Sequence, residues 1–136
     1  MAQPNYEKAG TILFYLTFSL LAGHEMDAMI RHEWRLLPGL AQLADPLARD
    51  VFTLLHVPAY VAILWFAAHP NGRIRAITRR IFCLFIAIHG GLHWGLSDHE
   101  LYEFVPPVET ITVYGGAVAA LAYLIWERLA ARADHQ

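Results

Sequence analysis

Residues 51–72 read VFTLLHVPAYVAILWFAAHPNG, a run of 22 residues without a single Asp, Glu, Lys or Arg. Three other uncharged runs cover residues 9–24, 81–97 and 110–126, with 16, 17 and 17 residues. A transmembrane helix needs about 20 mostly apolar residues, with a range of about 17–25, so each run is long enough once its flanks are included. Together the runs fill 72 of 136 positions. The sequence therefore predicts an all-α, integral membrane four-helix transmembrane bundle.

The composition supports a membrane protein and argues against several other classes. Hydrophobic residues make up 57% of the chain and charged residues 16%, against about 45–50% and about 25% in an ordinary soluble domain. The net charge is −2 and the sequence shows no basic patch, so nucleic acid is not an expected partner. Cys83 is the single cysteine, which excludes an internal disulfide and a Cys-based zinc site. The expected surroundings are therefore a lipid bilayer.

Proline and glycine set the predicted helix ends within a single domain that spans residues 1–136. Pro38-Gly39 stops the first helix, Pro70-Asn71-Gly72 turns the chain after the second, and Pro106-Pro107 precedes the fourth. The predicted helices cover about residues 6–30, 49–69, 77–97 and 109–130. Pro58 lies inside the second helix, where a membrane bundle tolerates a kink.

The distribution of charge between the helices predicts the orientation. The connection between helices 2 and 3 carries only basic charges, Arg73, Arg75, Arg79 and Arg80. The connection between helices 3 and 4 carries only acidic charges, Asp98, Glu100, Glu103 and Glu109. Because basic loops stay on the cytoplasmic side, both termini are predicted to be cytoplasmic. We expect a multi-pass protein of the bacterial inner (cytoplasmic) membrane.

Three of the predicted helices carry histidine at a similar depth near the outer side. From a rise of about 1.5 Å per residue, His24, His56 and His93 lie roughly 5, 9 and 6 Å inside their helix ends. His89 lies one turn deeper than His93 on the same face, and Asp27 lies about one turn shallower than His24. Ionisable groups at membrane depth are costly and by default mark a functional site.

This set predicts a metal centre with imidazole and carboxylate ligands, namely His24, His56, His89, His93 and Asp27. Imidazoles on facing helices, together with one or two carboxylates, suit a transition metal, with zinc or iron preferred. Glu25, Asp27 and Tyr114 are the candidate catalytic groups, because carboxylates and a phenol near the metal can move protons.

Each histidine also has a purely structural interpretation. His24 alone is equally well explained as an interfacial residue bonded to a carbonyl. His56 can serve a carbonyl that Pro58 leaves free, because proline donates no hydrogen bond. His89 and His93 suit a hydrogen-bonded pair between helices. It is the common depth of these residues that favours a shared site.

The residues that follow helix 1 leave further alternatives open. Glu33 and Arg35 either form part of a lid or make a surface ion pair of little consequence. Arg31 either pairs with Asp27 or binds an anionic headgroup. Trp34, like the other three tryptophans, is expected to anchor a helix end at the membrane interface.

Three motifs carry a family resemblance: GHEMDA at residues 23–28, EWRLLP at residues 33–38 and HGGLH at residues 89–93. With them the chain resembles small uncharacterised bacterial four-helix membrane proteins that carry an HE-x-D-A…EWR signature. More loosely it is similar to the HXXEE family, which has a His-plus-acid motif on one helix and histidines on a later one. In this chain the acids that follow His24 are Glu25 and Asp27. The resemblance implies a shared polar centre and no particular reaction.

Two functions would use a metal. The first is a metal-dependent membrane hydrolase, oxidoreductase or isomerase that acts on a lipophilic small molecule, with the metal as Lewis acid or activator of water. The second is a b-type haem module for electron transfer, with axial ligands such as His56 and either His89 or His93. Gly90 and Gly91 would then give the porphyrin room.

Two further functions need no metal. One is a metal-free lipid isomerase with the acid–base groups Glu25, Asp27, His93 and Tyr114. The other is an accessory subunit of a larger membrane complex, or a homo-oligomer, because small residues in helix 4 allow close approach of a second helix. A measurement of bound metal separates these two functions from the first two.

Overall fold

The structure is a computed structural model that describes residues 3–133. Its four α-helices are α1 (Gln3–Ile30), α2 (Asp45–Ala67), α3 (Gly72–Leu96) and α4 (Gly115–Ala133). A 3₁₀ turn, Glu33–Arg35, follows α1, and a π-helical turn, Thr110–Tyr114, leads into α4. Residues 3–133 contain no β-strand. The predicted all-α class with four helices is confirmed.

The helix boundaries follow local capping chemistry. α1 ends at Ile30, as predicted. α2 begins at Asp45, earlier than predicted, because Pro46 is tolerated in a first helical turn, where an amide would lack a partner. α3 begins at Gly72, also earlier than predicted, because the Asn71 side chain accepts hydrogen bonds from the amides of Arg73 and Ile74 at 2.9 and 3.4 Å.

α4 packs against both α1 and α3, whereas α2 packs mainly against α3 and the 3₁₀ turn. A small residue allows the contact between α3 and α4. A Cβ atom on Gly90 would lie only 2.7 Å from the Cβ of Ala117, so glycine lets the two backbones approach closely.

The apolar core consists of two clusters. One contains Phe14, Leu21, Ala67, Phe82, Cys83, Ile86, Ala120 and Tyr123. The other contains Ala28, Trp34, Ala48, Phe52 and Phe104. Along α1, His24 lies between Leu21 of the first cluster and Ala28 of the second. A buried polar layer therefore separates the two clusters.

Two helical segments, Asp45–Ala67 and Thr110–Arg132, are long and apolar enough to cross a membrane by length and composition. In their most apolar windows only 11% and 28% of the residues are buried. A core helix of a soluble protein would be mostly buried. Large exposed apolar side chains occur on every helix, among them Leu16, Leu54, Val61, Trp65, Phe85, Ile88, Val118 and Ile125.

Candidate metal centre

Four side chains from three segments meet in the polar layer between the two core clusters. His24 comes from α1, His89 and His93 come from α3, and Glu33 comes from the 3₁₀ turn. One ligand atom from each of these residues lies within 4.8 Å of all the others. His24, Glu33 and His93 are buried, and His89 is half-buried.

A chain reversal after α1 brings Glu33 into this group. His32 has a φ of 54° and a ψ of 41°, which is the left-handed conformation. Histidine is among the few non-glycine residues enriched in that region. The reversal turns the 3₁₀ segment back toward α1, so that Glu33 Oε2 lies 3.1 Å from His24 Nε2.

Polar contacts hold the 3₁₀ turn to α2 and to the connection before α4. The indole N–H of Trp34 donates to Asp45 Oδ1 at 2.8 Å, and Arg35 contacts both carboxylate oxygens of Asp45 at 2.9 and 2.8 Å. Arg35 also reaches Glu103 at 3.3 Å. The prediction that Trp34 is an interfacial anchor is wrong, because the side chain is 2% exposed and packs in the core.

Two distances within the group are close to those between ligands that share one ion, and the four ligand atoms together extend over 4.8 Å. His24 Nε2 lies 3.0 Å from His89 Nε2 and 3.1 Å from Glu33 Oε2. Around a tetrahedral zinc ion with bonds of about 2.0–2.1 Å, neighbouring ligand atoms are about 3.3 Å apart. Glu33 Oε2 makes no hydrogen bond in spite of its short distance to His24. The two imidazole nitrogens are within hydrogen-bond distance of each other, and the same nitrogens and the carboxylate oxygen could together bind a cation.

The surroundings of His93 fix its tautomer. Its Nδ1 atom lies 2.8 Å from the hydroxyl of Tyr102, and that hydroxyl donates a short hydrogen bond to the carboxylate of Glu109. A tyrosine hydroxyl has one hydrogen, so the Nδ1–H of His93 must be the donor to Tyr102. The Nε2 atom of the same ring faces Glu33, whose Oε1 is 3.8 Å away. Outer partners of this kind orient metal-binding histidines.

The π-helical turn places Tyr114 beside Glu109, at the end of the hydrogen-bond chain that begins at His93. Glu109 and Tyr114 are five residues apart, and the π-helical spacing brings the Tyr114 hydroxyl to 3.4 Å from Glu109 Oε1. π-turns of this kind are frequent at functional sites. Tyr114, a predicted catalytic group, thus connects to His93 through Glu109 and Tyr102.

The electrostatic environment fixes the charge of Glu33 and keeps the proton on Tyr102. Burial alone would raise the pKa of Glu33, but the imidazoles of His24 and His93 hold that pKa well below its usual range. Two causes raise the pKa of Tyr102 far above its usual value: burial is the larger one, and the nearby Glu109 carboxylate is the second. Glu33 is therefore anionic, and Tyr102 remains a hydrogen-bond donor.

The other predicted site residues lie beside the four-residue group. His56 Nε2 is 3.0 Å from Glu25 Oε2, and His56 Nδ1 is 2.7 Å from the carbonyl oxygen of Phe52. Asp27 Oδ1 accepts a hydrogen bond from Arg31 Nε at 3.3 Å. Of the two partners expected for Arg31, Asp27 or an anionic headgroup, the structure shows Asp27. The structure brings together three of the five predicted ligands, His24, His89 and His93.

Sequence reasoning missed two residues of the site. Glu33 was expected in a lid or a surface ion pair, because its entry into the bundle depends on the reversal at His32. Tyr102 lies in the connection between α3 and α4, where no periodic pattern indicates direction. One local signal could have pointed to Glu33, namely that this acidic residue follows the last residue of α1 by only three positions.

The comparisons with known proteins identify a family. No curated protein and no solved structure matches the chain. One family model, described as a family of unknown function (DUF6713), matches residues 10–130. The match covers every residue of the four-residue group and most of the chain. The chain therefore belongs to the family of unknown function DUF6713.

Proposed function

We propose that the chain is a membrane enzyme whose four-residue group, His24, Glu33, His89 and His93, binds a zinc or iron ion that acts on a lipophilic substrate. The single observation that carries this proposal is the convergence of three imidazoles and one carboxylate within 4.8 Å. Glu33 Oε2 is buried 3.1 Å from His24 Nε2 and makes no hydrogen bond. A buried carboxylate oxygen without a partner is costly, and a cation would satisfy it.

The apolar exterior supports a protein with four membrane spans. α2 and α4 meet the length and composition of a span, and α1 and α3 also expose large apolar side chains along their length. In water such a surface would be an aggregation hazard, whereas a bilayer covers it. The basic connection between α2 and α3 favours cytoplasmic termini, so the metal centre lies near the outer face of the inner membrane.

The ligand set limits the possible metals. Three imidazoles and one carboxylate suit zinc or iron better than magnesium or calcium, which prefer oxygen ligands. Catalysis needs at least one open coordination position. A tetrahedral zinc ion would use three of the four side chains, whereas a six-coordinate iron ion would keep two positions open with all four bound. In either case the metal would polarise a substrate oxygen or activate water.

The packing of the imidazoles favours a single ion over haem. The rings of His24, His89 and His93 contact one another edge to face, with centroids 4.7–4.9 Å apart. A haem iron takes its axial ligands from opposite faces of the porphyrin, which rings in mutual contact do not allow. His56, the other expected axial ligand, directs its Nε2 atom to Glu25 at 3.0 Å instead. Gly90, which was expected to give a porphyrin room, faces Ala117 of α4.

One side of the group is open toward the exterior. His89 is half-buried and stacks on Phe85, a ring that is 52% exposed. In a bilayer this side faces lipid, which favours a lipophilic substrate that enters laterally. Glu25 and Asp27 follow His24 along α1, and each has a buried carboxylate oxygen without a hydrogen-bond partner. Both carboxylates are therefore available for proton transfer.

A comparison of membrane lipids tests the enzymatic part of the proposal. Lipid extracts from bacterial cells that express the wild type, His93→Ala or His99→Ala would be compared by mass spectrometry. His99 is a matched control, because it is an exposed histidine in the connection after α3. We expect lipid species whose abundance changes with the wild type and His99→Ala but not with His93→Ala. Identical profiles for the wild type and His93→Ala would contradict an activity at this centre.

A further inference from the structure

A second polar group lies between α1 and α2. Glu25 Oε2 is 3.0 Å from His56 Nε2, and the two side chains are 17% and 28% exposed. Tyr60 lies one helical turn after His56 on the same face of α2, with the two ring centroids 5.6 Å apart. A carboxylate, an imidazole and a phenol therefore share one interhelical space.

Two polar atoms of this group lack partners. Glu25 Oε2 is buried and makes no hydrogen bond, although His56 Nε2 is near. The hydroxyl of Tyr60 is also buried and makes no hydrogen bond. Glu33 Oε2 shows the same pattern opposite His24, at nearly the same distance of 3.1 Å. The two carboxylate–imidazole pairs thus have the same geometry.

The backbone fixes the orientation of His56. Its Nδ1 atom lies 2.7 Å from the carbonyl oxygen of Phe52, and a carbonyl only accepts, so the Nδ1–H is the donor. A neutral His56 then presents its Nε2 lone pair to the carboxylate of Glu25. Two acceptors at this distance require a cation, either a proton on Nε2 or a metal ion. An Nδ1–H bonded to a backbone carbonyl is the usual outer partner of a metal-binding histidine.

We propose that Glu25 and His56 bind a second transition-metal ion beside the first, with the Tyr60 hydroxyl as a further ligand. This inference rests on the proposed function, because the second ion adjoins the first centre. Neighbouring residues on a helix project about 100° apart, so His24 turns toward α3 while Glu25 turns toward α2. α1 would supply one ligand to each ion.

A second ion would add a further Lewis acid to the proposed chemistry. The second site offers few protein ligands, so most of its coordination positions remain open to water or substrate. The first ion, with up to four protein ligands, would then stabilise the fold more than the second ion.

Counting bound zinc tests the second site. Metal-free protein in detergent would be loaded with zinc alone, passed through gel filtration and analysed for zinc per chain. We expect two equivalents in the wild type and in His99→Ala, and one equivalent in Glu25→Gln and in His56→Gln. Glu25→Gln keeps the shape of the side chain, so it tests the site even where His56→Gln fails to fold. Helical content and elution volume show that each variant is folded.

The outcomes separate this inference from the proposed function. One equivalent in the wild type, unchanged in Glu25→Gln and His56→Gln, would overturn the second site and leave the first intact. Glu25 and His56 would then be a proton-bridged ion pair. No zinc in the wild type would overturn both. A wild-type content of two equivalents that both variants retain would also refute the assignment to Glu25 and His56.

Discussion

Replacement of Tyr102 by phenylalanine would remove the one hydroxyl that links His93 to Glu109. In the wild type that hydroxyl lies 2.8 Å from His93 Nδ1 and donates to the Glu109 carboxylate. Phenylalanine keeps the ring, so the contacts of this ring with His93 and Phe104, at centroid distances of 5.7 and 5.3 Å, are retained. The change therefore isolates the hydrogen bonds from the packing.

The expected effect is a weaker metal centre. Loss of an outer partner of a metal-binding histidine typically lowers metal affinity about 10–100-fold, or about 1.4–2.8 kcal/mol. Tyr102→Phe also leaves the Nδ1–H of His93 without a partner in the interior, and it leaves Glu109 Oε1 with only the 3.4 Å contact to the Tyr114 hydroxyl. Each unpartnered buried group costs about 1–3 kcal/mol of folding stability.

A competition between the protein and a coloured zinc chelator would measure the affinity in detergent. Tyr114→Phe is the matched control, because its hydroxyl contacts Glu109 at 3.4 Å. We expect the control to change the affinity less than about threefold, since a contact of that length is weak. If Tyr102→Phe binds zinc as tightly as the wild type, His93 is not oriented through Tyr102 for metal binding.

Three further predictions concern stability. Gly90→Ala should destabilise the fold by about 1–3 kcal/mol, because the added Cβ would lie 2.7 Å from Ala117. A Cβ atom added at Gly91 would meet no atom within 4 Å, so Gly91→Ala should be neutral or slightly stabilising. Equal melting temperatures for Gly90→Ala and Gly91→Ala would contradict the close α3–α4 contact. Arg35→Gln should leave the melting temperature nearly unchanged, because its ion pair with Asp45 is exposed to solvent. A chelator assay should show unchanged metal affinity, and a loss of metal would show that the turn depends on Arg35. Removal of metal by a chelator should lower the thermal stability, by about 2.7 kcal/mol if the ion is present at 100 times its dissociation constant; an unchanged melting curve would argue against an ion bound to the native state.

The part of the site that lies on helices was predictable from the sequence. The uncharged runs define the helices, and a constant rise per residue then fixes the depth of each side chain. The predicted depths put His24 and His93 at one level, with His89 one turn deeper than His93, and the structure brings these three residues together. His89 and His93 share a face because they are four residues apart.

The rest of the site depends on the direction of chain segments outside the helices. Glu33 reaches the centre through a left-handed residue at His32, and Tyr102 reaches His93 from the connection before α4. Neither direction follows from periodicity. His56 was placed at a suitable depth, but rotation about the α2 axis is set by packing, and that packing directs its Nε2 atom to Glu25.

Elemental analysis of the purified protein tests the central claim most directly. Zinc, iron and copper per chain would be measured in detergent-purified wild type, His93→Ala and His99→Ala, each shown to be folded by its helical content. The account predicts zinc or iron in near-stoichiometric amounts in the wild type and in His99→Ala, and at least one equivalent less in His93→Ala. The same metal content in His93→Ala as in the wild type, or no metal in the wild type, would contradict it.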